Sequence, residues 1–544
     1  MKRILIPLCL VVGSHMASGQ RSYQFDAPNR LFVEGKELFS LKNYSGCIDK
    51  LEAYKQHSTD ADLIQEADYM LVYSAYEQGR PNAVELLKDY LDVYPASRHA
   101  DEVNFLIGSA HFGQGEYQKA IFWFNESNID MLSPEQQEAY CFRLAYSLLQ
   151  IGDMEKARGY FARIEQIGTK YREASTYYVA YIDYATGKYN NALVEFTRLK
   201  DLPDYKERSL CYITQIYFIQ NKYEKVISEG KELLASYPDS ENNSEVYRIM
   251  GNAYYHLGNE DQAINMLSKY VSSTDSPLRG DLYILGVCYY NKGNYSSAVN
   301  ALGRTVREND ALSQNAYLHM GLAYLQLADK TKARMAFEQA AASNADPKIK
   351  EQAAYNYALC IHETSYSAFG ESVTVFEKFL NEFPNSPYAE KVSNYLVEVY
   401  MNTRSYDAAL KSIDRISHPG KAILEAKQKI LFQLGTQSFA NTQFEQAIGY
   451  FNQSVTLGQY NLQTKADALY WLGESYYRLN RMREAARNFN EYLSLTRQRD
   501  TEMFALAYYN LGYIAFHQKD YSTAENRFRN FVQLEKGENP TALA

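Results

Sequence analysis

Two consecutive segments between Glu245 and Gly303 carry the same residue types at the same spacing, and this self-similarity constrains the fold more than any other feature. Tyr247, Met250, Gly251, Tyr254, Gly258, Ala263 and Leu267 in the first correspond to Leu282, Leu285, Gly286, Tyr289, Gly293, Ala298 and Leu302 in the second, always 35 residues on. The order is a small residue, an aromatic three later, a small residue closing a turn, then Ala and a large apolar residue four apart. That order describes two antiparallel helices, A and B, that approach closely. A unit this short cannot bury its apolar face alone, so it has to stack on copies of itself.

The small position of helix B recurs along the chain at Cys47, Ala83, Ala120, Ala157, Ala192, Val226, Ala263, Ala298, Ala333, Ser372, Ala409, Ala447, Ala485 and Ala524. Four residues later stands a large apolar side chain, as at Leu51, Phe124, Phe161, Phe196, Leu267, Leu302, Phe337, Phe376, Phe451, Phe489 and Phe528. Upstream, Gly35, Gly108, Gly251, Gly286, Gly321, Gly435, Gly473 and Gly512 mark where A meets B. A helical Gly costs about 1 kcal/mol against Ala, so its recurrence implies a packing reason.

This pattern resembles the tetratricopeptide repeat, whose period is about 34 residues. The resemblance implies an all-α, right-handed superhelical solenoid of about fourteen helix pairs. Some repeats share an ending: Tyr94-Pro95-Ala96-Ser97, Tyr237-Pro238-Asp239-Ser240 and Phe383-Pro384-Asn385-Ser386. Proline stops helix B because it lacks the donor and clashes with the preceding turn, and the polar residues can cap the next helix. These repeats are similar to those of BamD-like assembly lipoproteins and of the TolA-binding coordinator, exported bacterial proteins.

The 544 residues are 46% hydrophobic and 22% charged, with a formal net charge of -9 and acids and bases interspersed. That balance gives no basic stripe for nucleic acid. Past the N-terminus no run approaches the ~18 apolar residues of a spanning helix, so no transmembrane helix is expected in the mature chain. The 50 tyrosines are the compositional oddity. Tyr suits packing within and between helix pairs, and it also suits binding.

Residues 1–19 read as a signal peptide, with Lys2 and Arg3, an apolar core from Ile4 to Val12, and Ala17-Ser18-Gly19 before the cut. A lipid anchor at Cys9 is rejected, because Leu8 is too bulky for the preceding position and the apolar run is short. Residues 20–27 form a short linker. A first block of repeats spans 28–371, and a second, continuous with it, spans 372–540. Residues 541–544 look like the start of a further helix, and the natural protein is expected to continue past Ala544. Two irregular turns, Thr364 to Gly370 and His418-Pro419-Gly420, are read as loop insertions or kinks.

No nucleophile, base and acid come together in the sequence, and the nine histidines are scattered without an H-E-x-x-H pair. The chain is therefore read as no enzyme, with no cofactor and no metal. Cys141, Cys211, Cys288 and Cys360 lie about two repeats apart, too far for disulfides, and Cys47 packs as a small hydrophobe.

The resemblance places particular positions of helix A on a concave groove. Carried onto this chain they are Tyr177, Tyr181, Tyr184, Arg248, Asn252, Tyr255, His256, Tyr283, Tyr290, Tyr470, Glu474, Tyr477, Arg478, Tyr509, Tyr513 and Phe516. Rigid aromatic rings with polar tips grip an extended peptide or a helix at little entropic cost. The Lys and Asn set of a carboxylate clamp is missing. The expectation is a non-catalytic exported scaffold binding other proteins or peptide segments in its groove. It would reside in the periplasm or associate peripherally with the outer membrane if the source is Gram-negative. A carbohydrate or peptidoglycan module, with tyrosines as stacking platforms, and the docking portion of a longer multidomain protein are the alternatives.

Overall fold

The structure, a computed structural model, describes residues 29–364, 370–403 and 405–535. The expected signal peptide of residues 1–19, the expected linker of residues 20–27, most of the loop after Thr364, and Pro540 to Ala544 lie outside these residues. Within them the chain forms 28 α-helices and one 3-10 turn, without a strand. The helices fall into fourteen A/B pairs, from Arg30–Ser40 with Tyr44–Lys55 to Glu502–His517 with Tyr521–Glu535. The repeat count read from the sequence therefore holds, and the pairs are numbered 1 to 14 below.

The chain divides into two compact units, Met1–Ile249 and Met250–Ala544. The expected block boundary at Ser372 falls inside the second unit, as do both irregular turns. Within each unit, helices pack on their immediate neighbours, and consecutive A helices such as Ala100–Gly113 and Pro134–Gln150, or Lys421–Ala440 and Leu462–Arg478, also touch. Consecutive B helices do not pack as closely. This nearest-neighbour pattern is what a stack of short amphipathic pairs produces.

The repeated positions have a direct steric meaning. All fourteen small residues of helix B are buried, most of them completely. A Cβ built on Gly35 would lie 2.5 Å from Leu51 Cδ2, one on Gly321 2.5 Å from Phe337 Cε1, and one on Gly473 2.6 Å from Phe489 Cε1. The helix-A glycine and the large helix-B residue sixteen positions later thus form one knob and hole. Phe528 departs from the series: it is only half-buried, in the last described repeat.

The A–B turn is built the same way in both units. One residue takes a left-handed backbone, at Gly115 (φ 75°), Gly152 (φ 89°), Gly258 (φ 73°) or Gly293 (φ 76°). Asn221, Ala328, Thr442 and Asn480 do so with a Cβ. The next amide closes the helix, as Asn259 N–H does on Tyr254 O at 2.9 Å. An Asn or Asp then caps helix B: Asn259 accepts from Gln262 N, Asn294 from Ser297 N and Asp329 from Lys332 N. In the aromatic-Pro endings, Ser97, Ser240 and Ser386 each accept from the amide two residues on, at 3.1 Å.

Turns between repeats are held by a polar side chain reaching forward from an earlier helix A. Gln314 donates to Ala340 O and Ser343 O at 3.0 Å and accepts from Asp346 N at 2.7 Å. Gln428 makes the same two-way contact with Asn461, at 2.7 and 2.9 Å. Glu138 accepts from Tyr171 N at 2.6 Å and fills the space where Gly168 lacks a Cβ. These buried groups satisfy backbone that leaves the helices with no partner of its own.

Candidate partner-binding surface

The anticipated groove residues divide into three groups along the A helices, one in the first unit and two in the second. In repeats 5 and 6, Tyr177, Tyr181 and Tyr184 rise along one face of Arg172–Ala185. They converge on Tyr212 of the next A helix, with ring centres 6.4, 6.1 and 5.0 Å away. Tyr212 itself stacks on Phe196 at 4.7 Å, with 7° between the planes. The Tyr184 hydroxyl donates to Gln215 at 2.9 Å. Burial pushes the hydroxyls of Tyr177, Tyr184 and Tyr212 above the ordinary phenol range. These rings are half-buried, so they present edges and hydroxyls rather than whole faces. Arg248, further along the same unit, is held by Glu245 through two bonds of 2.6 and 2.7 Å and lies 5.9 Å from the Phe218 ring centre.

In the second unit, Tyr283 and Tyr290 approach His319 at 5.6 and 6.2 Å, both edge-on. His319 Nδ1 sits 2.9 Å from Asn315 O, which fixes the ring between them. Tyr255 is half-buried beside the exposed His256, 5.6 Å between ring centres. Asn252 departs from expectation: it is buried and donates to Asp281 at 2.7 Å, tying the A helix of repeat 7 to that of repeat 8.

Repeats 13 and 14 carry the third group. Tyr470 is a core residue at 3% exposure, edge-on to Phe489 and Tyr492, and is corrected from groove to core. Its ring turns inward against Phe489 and Tyr492 of the following B helix, at 5.7 and 5.4 Å. Glu474 accepts from Asn510 and from the Tyr470 hydroxyl, with Arg478 at 3.9 Å. Burial raises its pKa. Tyr477 is half-buried, whereas Tyr513 and Phe516 are 39% and 54% exposed. Tyr509 packs on Phe531 at 5.1 Å and on Tyr513 at 5.3 Å, supporting the more exposed ring.

Sequence reasoning missed Tyr212, His319 and Asn510, each a neighbour that positions an anticipated residue. Tyr212 had a signal: it lies 35 residues after Tyr177, in the same register. His319 and Asn510 had none, because their roles depend on distances between successive A helices.

Chemistry-bearing side chains are otherwise absorbed by structure. Among the described residues no three His, Cys, Asp or Glu are grouped to hold a metal ion. Among the described residues five cysteines are free, and burial pushes Cys141, Cys211 and Cys360 to about 11 and Cys288 to about 12. Such thiols stay protonated and unreactive. Asp183, fully buried, holds Arg158 through two bonds of 2.7 and 2.8 Å. Among the described residues no helix is long and apolar enough to cross a membrane.

The architecture defines a tetratricopeptide-repeat protein, the kind of fold that serves as a protein-interaction scaffold. Its repeats resemble those of BamD-like proteins: a family described as an outer membrane lipoprotein matches residues 25–131. Subunit 3 of the anaphase-promoting complex, or cyclosome, matches 257–340, and a tetratricopeptide repeat family matches 467–495. No curated protein sequence matches. Solved structures that align include MamA, at 24% identity and TM-score 0.27 over 34% of this chain and 94% of that one. A tetratricopeptide repeat protein from Parabacteroides merdae aligns at 16% identity and TM-score 0.29 over 55% of this chain and 98% of that one. The Cut9-Hcn1 assembly of the anaphase-promoting complex aligns at 13% identity and TM-score 0.22 over 96% of each chain.

Proposed function

We propose that this chain is a non-catalytic scaffold of the bacterial cell envelope, exported by residues 1–19, that binds protein segments along its A-helix faces. The observation that carries the reading is the supported but accessible ring set: Tyr513 projects from a base of Tyr509, Phe528 and Phe531, and the exposed Phe516 lies beside it against Tyr521 at 5.6 Å. Rings held by a packed base lose little freedom on binding, which is what makes an anchor. The match of the first repeats to an outer membrane lipoprotein family supports the envelope location. Peripheral attachment fits the same placement.

The test is affinity purification of the full chain from fractionated cells of its source, beside a variant with Tyr184→Ala, Tyr290→Ala and Tyr513→Ala. Recovery in the envelope fraction with defined proteins that the folded variant loses is the expected result. A chain confined to the cytoplasm, or an unchanged set of proteins on the variant, would reject the reading.

A further inference from the structure

A three-part contact that recurs at the A–B turns stands incomplete in repeat 14. Six earlier repeats set an aromatic ring near the end of helix A edge-on to the ring that opens helix B. The pairs are Phe39 with Tyr44, Phe112 with Tyr117, Tyr184 with Tyr189, Phe218 with Tyr223, Tyr290 with Tyr295 and Phe439 with Phe444, their centres 5.3 to 6.3 Å apart. Each pair is met by a planar side chain from the A helix of the next repeat. Tyr73, Tyr146, Tyr212, His319 and Trp471 lie 5.1, 5.8, 5.0, 6.2 and 4.9 Å from the helix-A rings, and the Arg248 guanidinium lies 5.9 Å from Phe218. With the third member in place, every ring of the six pairs is half-buried.

Repeat 14 builds the same pair, Phe516 edge-on to Tyr521 at 5.6 Å. Here the rings are 54% and 60% exposed, and among the described residues no planar side chain from another A helix joins them. The surroundings repeat the pattern. In register, Tyr513 and Phe528 hold the places of Glu474 and Phe489 in repeat 13, where Asn510 of the following A helix bonds Glu474 and Phe489 is fully buried. Phe528 is only half-buried. We infer that the Phe516/Tyr521 pair is a docking site for an amphipathic helix of another protein. That helix takes the place of a further A helix and supplies the third planar group, an aromatic ring or a guanidinium. The chain itself displays the chemistry of the occupant six times: a helix with an apolar face and one planar side chain set against the ring pair, held by the quadrupole of the rings. The inference rests on the protein-binding reading above and narrows it to one place and one kind of partner.

The test is selection of a phage-displayed library of amphipathic helical peptides, about 15 residues long, on the purified full chain. Enriched peptides should carry Trp, Tyr, Phe, His or Arg at one fixed place on the apolar face. Their affinity should fall at least about tenfold on a chain with Phe516→Ala and Tyr521→Ala. Replacing the planar residue of the peptide by Ala should then cost far less on that variant than on the parent, a coupling that no general loss of folding produces. Peptides that bind the variant as tightly as the parent would overturn the inference; if Tyr184→Ala with Tyr290→Ala abolishes them instead, the broader protein-binding reading stands without it. No enrichment, as when residues 536–544 or a second copy already cover the pair, would also overturn it.

Discussion

A glycine in a helix is a cost that only its neighbours can repay, and this chain allows the two terms to be separated. Gly159, in the interior of Met154–Ile167, has nothing within 4 Å of a built Cβ, whereas one on Gly473 would meet Phe489 Cε1 at 2.6 Å. Replacing Gly159 by Ala removes only the propensity penalty and should stabilise by up to about 1 kcal/mol. At Gly473 the same gain meets overpacking of about 1–3 kcal/mol, because the ring is itself fully buried and has nowhere to move. The expected outcome is a raised Tm for Gly159→Ala and a lowered Tm for Gly473→Ala. Equal shifts in one direction would show that the glycine series has no packing role.

The same contrast explains what could be read at this scale from sequence alone. Gly35, Gly473 and their counterparts were legible because a knob and its hole recur at a fixed separation, so periodicity reveals the pair without coordinates. Tyr470 was misplaced because its register matches Tyr177 and Tyr283, and only Tyr492 on the following B helix decides that its ring turns inward. Asn252 was misplaced for a similar reason, its partner Asp281 lying one repeat ahead.

At the level of the helix, the A helices of repeats 13 and 14 are joined by Glu474, which accepts from Asn510 across the gap. Burial raises the pKa of this carboxyl, while Asn510, Arg478 and Tyr470 only partly oppose the shift. A carboxyl whose folded value is raised binds its proton more tightly in the folded state. Its contribution is therefore full below the ordinary carboxylate range and is lost as pH rises through the raised value. Stability should fall with rising pH across that window, and Glu474→Gln should flatten the slope while keeping the Asn510 contact. Thermal melts of both chains over a pH series that starts in the ordinary carboxylate range and runs up to neutral check this. A slope unchanged in the variant would show that the carboxyl is not the titrating group. Helix boundaries were the most legible feature at this scale, since the Pro after Tyr94, Tyr237 and Phe383 and the Asn or Asp caps act locally. The staples from Gln314 and Gln428 were not, because a contact over 32 or 33 residues leaves no local trace.

At the scale of the whole molecule, each helix pair of either unit buries its neighbour, so the chain's identity as a repeat scaffold was readable while its partner was not. The fold depends on positions that repeat, whereas recognition depends on those that differ between repeats: a tyrosine cluster in repeats 5 and 6, a His319 sandwich in repeats 8 and 9, exposed rings in repeat 14. The central claim is that proteins bind these A-helix faces and not the outer B side of the middle repeats. The most direct measurement is in-cell photo-crosslinking, with a benzophenone amino acid placed singly at Tyr184, Tyr290 or Tyr513, and at Val194 or Met335, which are exposed on B helices at 52% and 59%. The account predicts discrete protein adducts from the three A-face positions and none from the two B-face positions. Adducts from Val194 and Met335 with none from the tyrosine positions would contradict it.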